Sequence, residues 1–373
     1  MQLHLIFFLF ILLTSCSMKP TATDNNTIVL KASEENQGYF EEHFQLENII
    51  PIETTDSFLI ADITKIVRLD NCFLLLSSDQ TVSLIDAQTG KLKTIIQKRG
   101  SGPGESNQIL DIAFDETLNR ILVYNDYQKL VSFDMQGKFL SEIKIKHMYE
   151  NITSCKGHVM FYNRLEGYNC HPYEMGILNL SDESWKNIGE NTLLKFNIRS
   201  KGQQMVNSKR IWLNSPLDYN LYCIDDNKFS SCYRLELPNF KVDESLVENS
   251  SSNPMAFFKE VGEKGIVYSI NSVRETDNHL IFRTNQSGLY FLNKDSNTLY
   301  KENRLILDLP CVMPNDYFPH DGADNCIVFV VSAEHWNKVN CFTGLPLELK
   351  RKIEKHHINA DDNPILFCFK EIA

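Results

Sequence analysis

Apolar residues in this chain fall in short runs rich in Ile, Leu, Val, Phe and Tyr, separated by Gly, Asn and Asp turns. Runs of this length between turn residues predict strands along nearly the whole chain. One segment recurs: an apolar strand ending in Asp or Asn, a short polar turn, then another strand. It appears at Ser83–Asp86, Val131–Asp134, Gly176–Asn179, Tyr222–Asp225 and Tyr290–Asn293. The marker residues Asp86, Asp134, Asn179, Asp225 and Asn293 are 48, 45, 46 and 68 residues apart. Steps of this size are the length of a four-stranded propeller blade. The long step contains 241–265, a polar, helix-compatible insertion with a break at Asn253-Pro254. A second insertion occupies 333–358, where Leu349 and Ile353 stand one helical turn apart. Five markers and a last strand at Ile365–Lys370 make six units. The pattern therefore predicts an all-β fold, a six-bladed β-propeller over 44–373 with two short helical insertions. A ring must be closed, and Ile49–Ile52 with Ile365–Cys368 are the expected N- and C-terminal strand closure.

The start of the chain has a different character. Leu5–Leu13 is uncharged and apolar, shorter than the ~20 residues of a membrane helix and of the length of a signal-peptide core. It ends in Leu13-Thr14-Ser15-Cys16, which resembles the lipobox of bacterial lipoproteins, although Met1–His4 carries no Lys or Arg. The expected division is a signal peptide over 1–16, cleaved before Cys16, then a tether and lead-in over 17–43. Lipidation of Cys16 would place acyl chains in a bilayer at about 0.8 kcal/mol per buried methylene.

Several motifs together resemble the six-bladed β-propeller lipoproteins common in Bacteroidetes. These are Ile49-Ile50-Pro51-Ile52-Glu53-Thr54 with Phe58-Leu59-Ile60, Lys98–Glu105 around a Gly-Pro-Gly-Glu turn, Asp134–Leu140, and Asp362–Leu366. The resemblance covers roughly residues 45–370 and is weakest in blades three to five. It implies an NHL-like propeller and a cell-envelope location. Bacteroidetes lipoproteins sent to the cell surface tend to carry acidic residues soon after the lipidated cysteine. Here Lys19 precedes the first acid, Asp24, which favours the periplasm-facing leaflet.

Composition narrows the partners. The chain has 373 residues, 43% hydrophobic and 23% charged, with a formal net charge of -11. A negative field without a basic stripe argues against nucleic acid. Nine cysteines remain after Cys16, without a CxxC pair, in apolar strand contexts that suit buried thiols. Gly100–Glu105 is glycine-rich, but Glu105 stands where a phosphate loop needs a cation and Pro103 lacks an amide donor. No HExxH or GxSxG motif occurs, and Asp321–Asn325 reads as a polar turn. Neither a metal site nor a cofactor is expected. Arg199, Arg210, Trp212 and Tyr219, in or beside the loops of the fourth unit, are candidate ligand contacts through bidentate hydrogen bonding and stacking.

The functional expectation is a non-enzymatic, envelope-anchored module binding a protein, peptide or glycan on one propeller face. Two alternatives stay open. One is an NHL-like metal-assisted hydrolase or lyase with its site in the central channel. The other is a structural subunit of an envelope complex.

Overall fold

The computed structural model describes residues 27–31, 40–97, 100, 105–126, 128–162, 175–188, 202–225, 228–236, 242–250, 253–286, 288–302, 319–321, 325–338 and 345–372. They form six sheets arranged as a six-bladed β-propeller. Blade 1 comprises Ile63–Leu69, Cys72–Ser77, Val82–Asp86 and Leu92–Gln97, hydrogen-bonded in chain order from the channel outward. Blade 2 spans Ile109–Lys144, blade 3 Asn151–Ile188, blade 4 Met205–Glu236 and blade 5 Ile270–Glu302, with the same order. Blade 6 takes its three inner strands from His320–Glu371 and its outer strand, Phe44–Pro51, from the other end of the chain.

The marker residues close each blade's outer hairpin. Asp86, Asn179, Asp225 and Asn293 end the third strands of blades 1, 3, 4 and 5, and Asp134 directly follows that of blade 2. The Asp86 carboxylate accepts from the Gln88 and Thr89 amides, Asp134 from Gln136 and Lys138, and Asn293 from Asp295 and Ser296. A short side-chain acceptor folding back on its own turn is why Asp and Asn recur there.

Packing explains the apolar runs. In Cys72–Ser77 every residue is buried: Phe73 and Leu75 face blade 6, while Leu74 and Leu76 face blade 2. Each blade is thus sandwiched between two others, so its middle strands need apolar residues on both faces. A separate hydrophobic cluster fills each of the six blade-to-blade interfaces.

The predicted closure forms: Ile49, Ile50 and Pro51 pair antiparallel with Phe367, Leu366 and Ile365. Pro51, without an amide hydrogen, is tolerated because its strand is the outer one. Asn363, almost fully buried, receives the Ile60 amide on its side-chain oxygen and donates to the Glu53 and Phe58 carbonyls. The two insertions each hold two short helices, Glu244–Asn249 with Pro254–Lys264, and Ala333–Lys338 with Leu347–Ile353. Pro254 opens its helix at the position where a missing amide hydrogen costs nothing, and Gly265, at φ 62°, ends it.

The lead-in differs from a plain tether. Ile28–Lys31 adds to blade 4 as a fifth strand, parallel to Lys228–Glu236, with Ile28 opposite Tyr233. Leu30 is inserted into the cluster between blades 4 and 5, and this burial fixes a segment too short to announce itself.

Candidate functional site: the central channel

The first strands of the six blades contact one another in ring order and enclose the channel. A cavity of about 710 Å³ opens there, lined from every blade: Arg68 from the first, Thr117 from the second, Lys156 from the third, Asn207 from the fourth, Glu275 from the fifth and Asn325 from the sixth. Its mouth is made by turns joining first and second strands. Lys156 (φ 50°), Lys209 (φ 44°) and Asn325 (φ 64°) adopt left-handed backbone conformations there. Such conformations are uncommon for residues other than glycine and belong to tight turns, as at Asn119 and Asn297 elsewhere in the chain.

Charged residues on the inner strands tie blades together. Lys65 Nζ lies 2.8 Å from Asp111 Oδ1 and donates to the Ile152 carbonyl at 2.9 Å. Asp111 Oδ2 accepts the Ile152 amide at 2.8 Å, so one buried ion pair joins blades 1, 2 and 3. Asp115, fully buried, accepts from Ser154 Oγ and the Gly157 amide across the interface between blades 2 and 3. Glu371 accepts from Thr276 Oγ1 and lies 2.6 Å from His279 Nδ1, linking blades 6 and 5. Arg274 donates to Gln203 Oε1 at 2.8 Å. Near it, His320 is buried on the first strand of blade 6. Burial first, then the charges of Arg274 and Lys65, push its pKa down to about 3.

Glu275 is the densest node. Its carboxylate accepts Arg210 Nε at 2.9 Å and Nη2 at 2.7 Å, Trp212 Nε1 at 2.9 Å and Lys294 Nζ at 3.0 Å. Burial alone would raise its pKa; the hydrogen bonds and charges of Arg210 and Lys294 together outweigh that and hold it below the ordinary carboxylate range.

This network absorbs two of the sequence-derived candidates. Arg210 and Trp212 lie on the second strand of blade 4, with the guanidinium 4.7 Å over the indole. Trp212 has no exposed surface, and both turn toward Glu275 of blade 5. Tyr219 lies in the turn between the second and third strands of blade 4, its hydroxyl accepting the Val242 amide at 2.9 Å. The structure brings Arg210 and Trp212 together; Tyr219 instead anchors the chain leading into the first helical insertion. Arg199 and Cys16 lie outside the described residues, as do residues 101–104 of the glycine-rich turn. Sequence reasoning missed Lys65, Asp111, Asp115, Arg274 and Glu275. Their one signal was a charge standing inside an otherwise apolar strand, as in Ile63–Leu69 and Ile270–Glu275.

Among the described residues no group of three or more His, Cys, Asp or Glu side chains is placed to hold a metal ion, and no helix is long and apolar enough to cross a membrane. What the channel offers is a polar, mixed-charge cavity within a rigid ring.

The fold and channel define a six-bladed β-propeller. The chain belongs to the family described as a domain of unknown function, DUF4934, which matches residues 26–370. It is similar in structure to a protein of Bacteroides fragilis described as exported, with a TM-score of 0.75 and 15% identity over 93% of this chain and 100% of that one. It is also similar to a member of the DUF4221 family from Bacteroides vulgatus, with a TM-score of 0.51 and 10% identity over 89% and 99% of the two chains. At these identities the likeness concerns the fold. No curated protein matches the sequence.

Proposed function

We propose that this chain is an exported, envelope-held binding module that takes a hydroxylated anion, the acidic end of a glycan, in the mouth of its central channel. One observation carries the reading: a single cavity of about 710 Å³ receives side chains from all six blades, a size typical of ligand sites. The chemistry follows from its lining. Lys65, Arg68, Lys156 and Lys209 outnumber Glu116 and Glu275 in the lining, with Lys65 ion-paired to Asp111, Lys209 to Asp277, and Glu275 to Arg210 and Lys294. On a chain of net charge -11, a cationic concavity focuses anions. Thr117, Thr153 and Asn207 add hydroxyl and amide groups suited to sugar hydroxyls.

The export half of the reading rests on Leu5–Leu13 and the Leu-Thr-Ser-Cys sequence ending at Cys16, and is in keeping with the exported description of the Bacteroides fragilis protein. Lipidation at Cys16 and a periplasm-facing anchor complete it. Metabolic labelling with a clickable fatty acid should mark the wild type and not Cys16→Ala, and protease treatment of intact cells should leave the protein whole. For the ligand, calorimetric titration with a short hexuronic acid oligosaccharide should give binding that weakens with salt, with its neutral counterpart far weaker. Lys156→Glu or Arg68→Glu should lower the affinity about tenfold, the equivalent of 1.4 kcal/mol. Equal binding of the acidic and neutral sugars, or indifference to both substitutions, would overturn the reading.

A further inference from the structure

Blade 4 carries two cysteines on adjacent strands, away from the cavity mouth. Cys223 lies on the third strand, Asn220–Asp225, and Cys232 on the outer strand, Lys228–Glu236. Their pairing is irregular: Leu221 faces Tyr233 and Tyr222 faces Ser231, which leaves Cys232 as the extra residue of a bulge. A bulge re-aims the side chain it releases. Here Cys232 packs against the same cluster that contains Cys223, and its sulfur lies beside Ser230, the residue directly opposite Cys223. Both are thiols; Cys223 is buried, whereas Cys232 is half-buried.

Their surroundings differentiate the two. Cys223 sits opposite Trp212, whose indole underlies the Arg210 guanidinium. Ser230 Oγ is 3.9 Å from Cys232 Sγ. The hydrogen bond from Cys223, set against burial and helped by Ser230 and Arg210, lowers the Cys232 pKa, while the same contact and burial raise that of Cys223. A half-buried, thiolate-prone cysteine beside a buried, protonated partner is the arrangement of an attacking and a resolving thiol. The other described cysteine pair gives a contrast. Cys326 and Cys368 lie on neighbouring strands of blade 6, but burial first, then Glu47, push the Cys326 thiol up to about 12.

We propose that Cys223 and Cys232 are a dithiol redox site that reacts with a small disulfide and closes into a cross-strand disulfide. The Cys232 thiolate attacks one sulfur of the oxidant, such as oxidised glutathione, forming a mixed disulfide and releasing one glutathione thiolate. Cys223 then loses its proton to solvent and attacks Cys232 Sγ, expelling the second glutathione. Two protein thiols are oxidised and one disulfide is reduced to two thiols. The bond would join the third and outer strands one residue before Tyr233, where Ile28 docks, stapling the edge that receives the N-terminal strand.

The test incubates the purified full chain with oxidised glutathione, alkylates the remaining thiols and maps the peptides by mass. The expected product is a linked Cys223–Cys232 peptide pair lacking two hydrogens, with Cys326 and Cys368 alkylated. In Cys223→Ser, which cannot resolve, glutathione should stay attached to Cys232; in Cys232→Ser neither product should form at this site. With iodoacetamide at pH 7, Cys232 should be alkylated before Cys223, Cys326 and Cys368. Failure of the wild type to form the linked pair would overturn the proposal, whatever the variants do. So would a mixed disulfide that persists in the wild type.

Discussion

Replacing Glu275 probes whether inner-strand carboxylates hold neighbouring blades together. Its side chain is 5% exposed and accepts four hydrogen bonds from three donor residues, two on blade 4 and one on its own blade. Glu275→Ala would leave Arg210 and Trp212 without this acceptor and Lys294 with the Thr276 carbonyl. Removing one partner of a buried pair typically costs 3–5 kcal/mol. Here Arg210 is 43% exposed and recovers hydration, which places the expected loss near the lower end, about 3 kcal/mol. Glu275→Gln keeps an acceptor for one donor and should cost about 1.5–2 kcal/mol, the value of charge-assisted bonds made neutral. Urea unfolding followed by tryptophan fluorescence suits the measurement, since Trp212 touches the carboxylate directly. A double-mutant cycle with Arg210→Met, which retains most of the side-chain stem, should give a coupling of about 1–2 kcal/mol. The pH dependence has a definite sign. A carboxylate held below its unfolded value contributes stability above that value, about 4.3 for Glu, and loses it as pH falls through the lower, folded value. The gap between wild type and Glu275→Gln should therefore be full at pH 7 and shrink in acid. A Glu275→Gln protein within about 0.5 kcal/mol of wild type at pH 7, the range of unremarkable surface changes, would refute the reasoning, as would a gap indifferent to pH.

Three further outcomes follow from the same physics. Asp115→Ala would leave the Leu118 and Gly157 amides without their acceptor and the Ser154 hydroxyl with only the His158 carbonyl, and should cost about 2–4 kcal/mol in urea unfolding, with Asp115→Asn milder. His320 stays neutral in the fold down to a pKa of about 3, whereas unfolded histidine protonates near 6.5. Below pH 6.5 it should thus remove up to about 1.4 kcal/mol of stability per pH unit, a slope that thermal unfolding of His320→Asn should lack. Gly90 has φ 70°, and an added Cβ would stand 2.1 Å from the Pro51 carbonyl oxygen. Gly90→Ala must displace the closing strand and should lower stability by at least about 2 kcal/mol, with faster amide exchange in Phe44–Pro51.

How much was legible in the sequence follows from the range of each interaction. Asp86, Asp134 and Asn293 fold back on amides two to four residues ahead, so their requirement is local and stands in the sequence as a repeat. The middle strands are apolar on both faces because every blade has two neighbours, which made the runs readable even where their partners were not. Closure by Phe44–Pro51 and Ile365–Glu371 was inferable because a ring needs its ends joined. The added strand Ile28–Lys31 was not legible, since four residues gain their order from an edge about two hundred positions away.

The candidate site divides along the same line. Arg210 and Trp212 drew attention as residue types, yet their partner Glu275 is 65 and 63 residues away, so the contact that joins blades 4 and 5 through them was not legible. Lys65 reaches Ile152, 87 residues on, and Cys232 meets Cys223 only because a bulge releases it. The sequence by itself determined the turns, the strand character, the blade period and the need for closure, all set by neighbours within a few positions. Only the tertiary structure decided which charges converge on the channel, because those contacts join distant strands through the curvature of the ring, and local pattern carries no record of it.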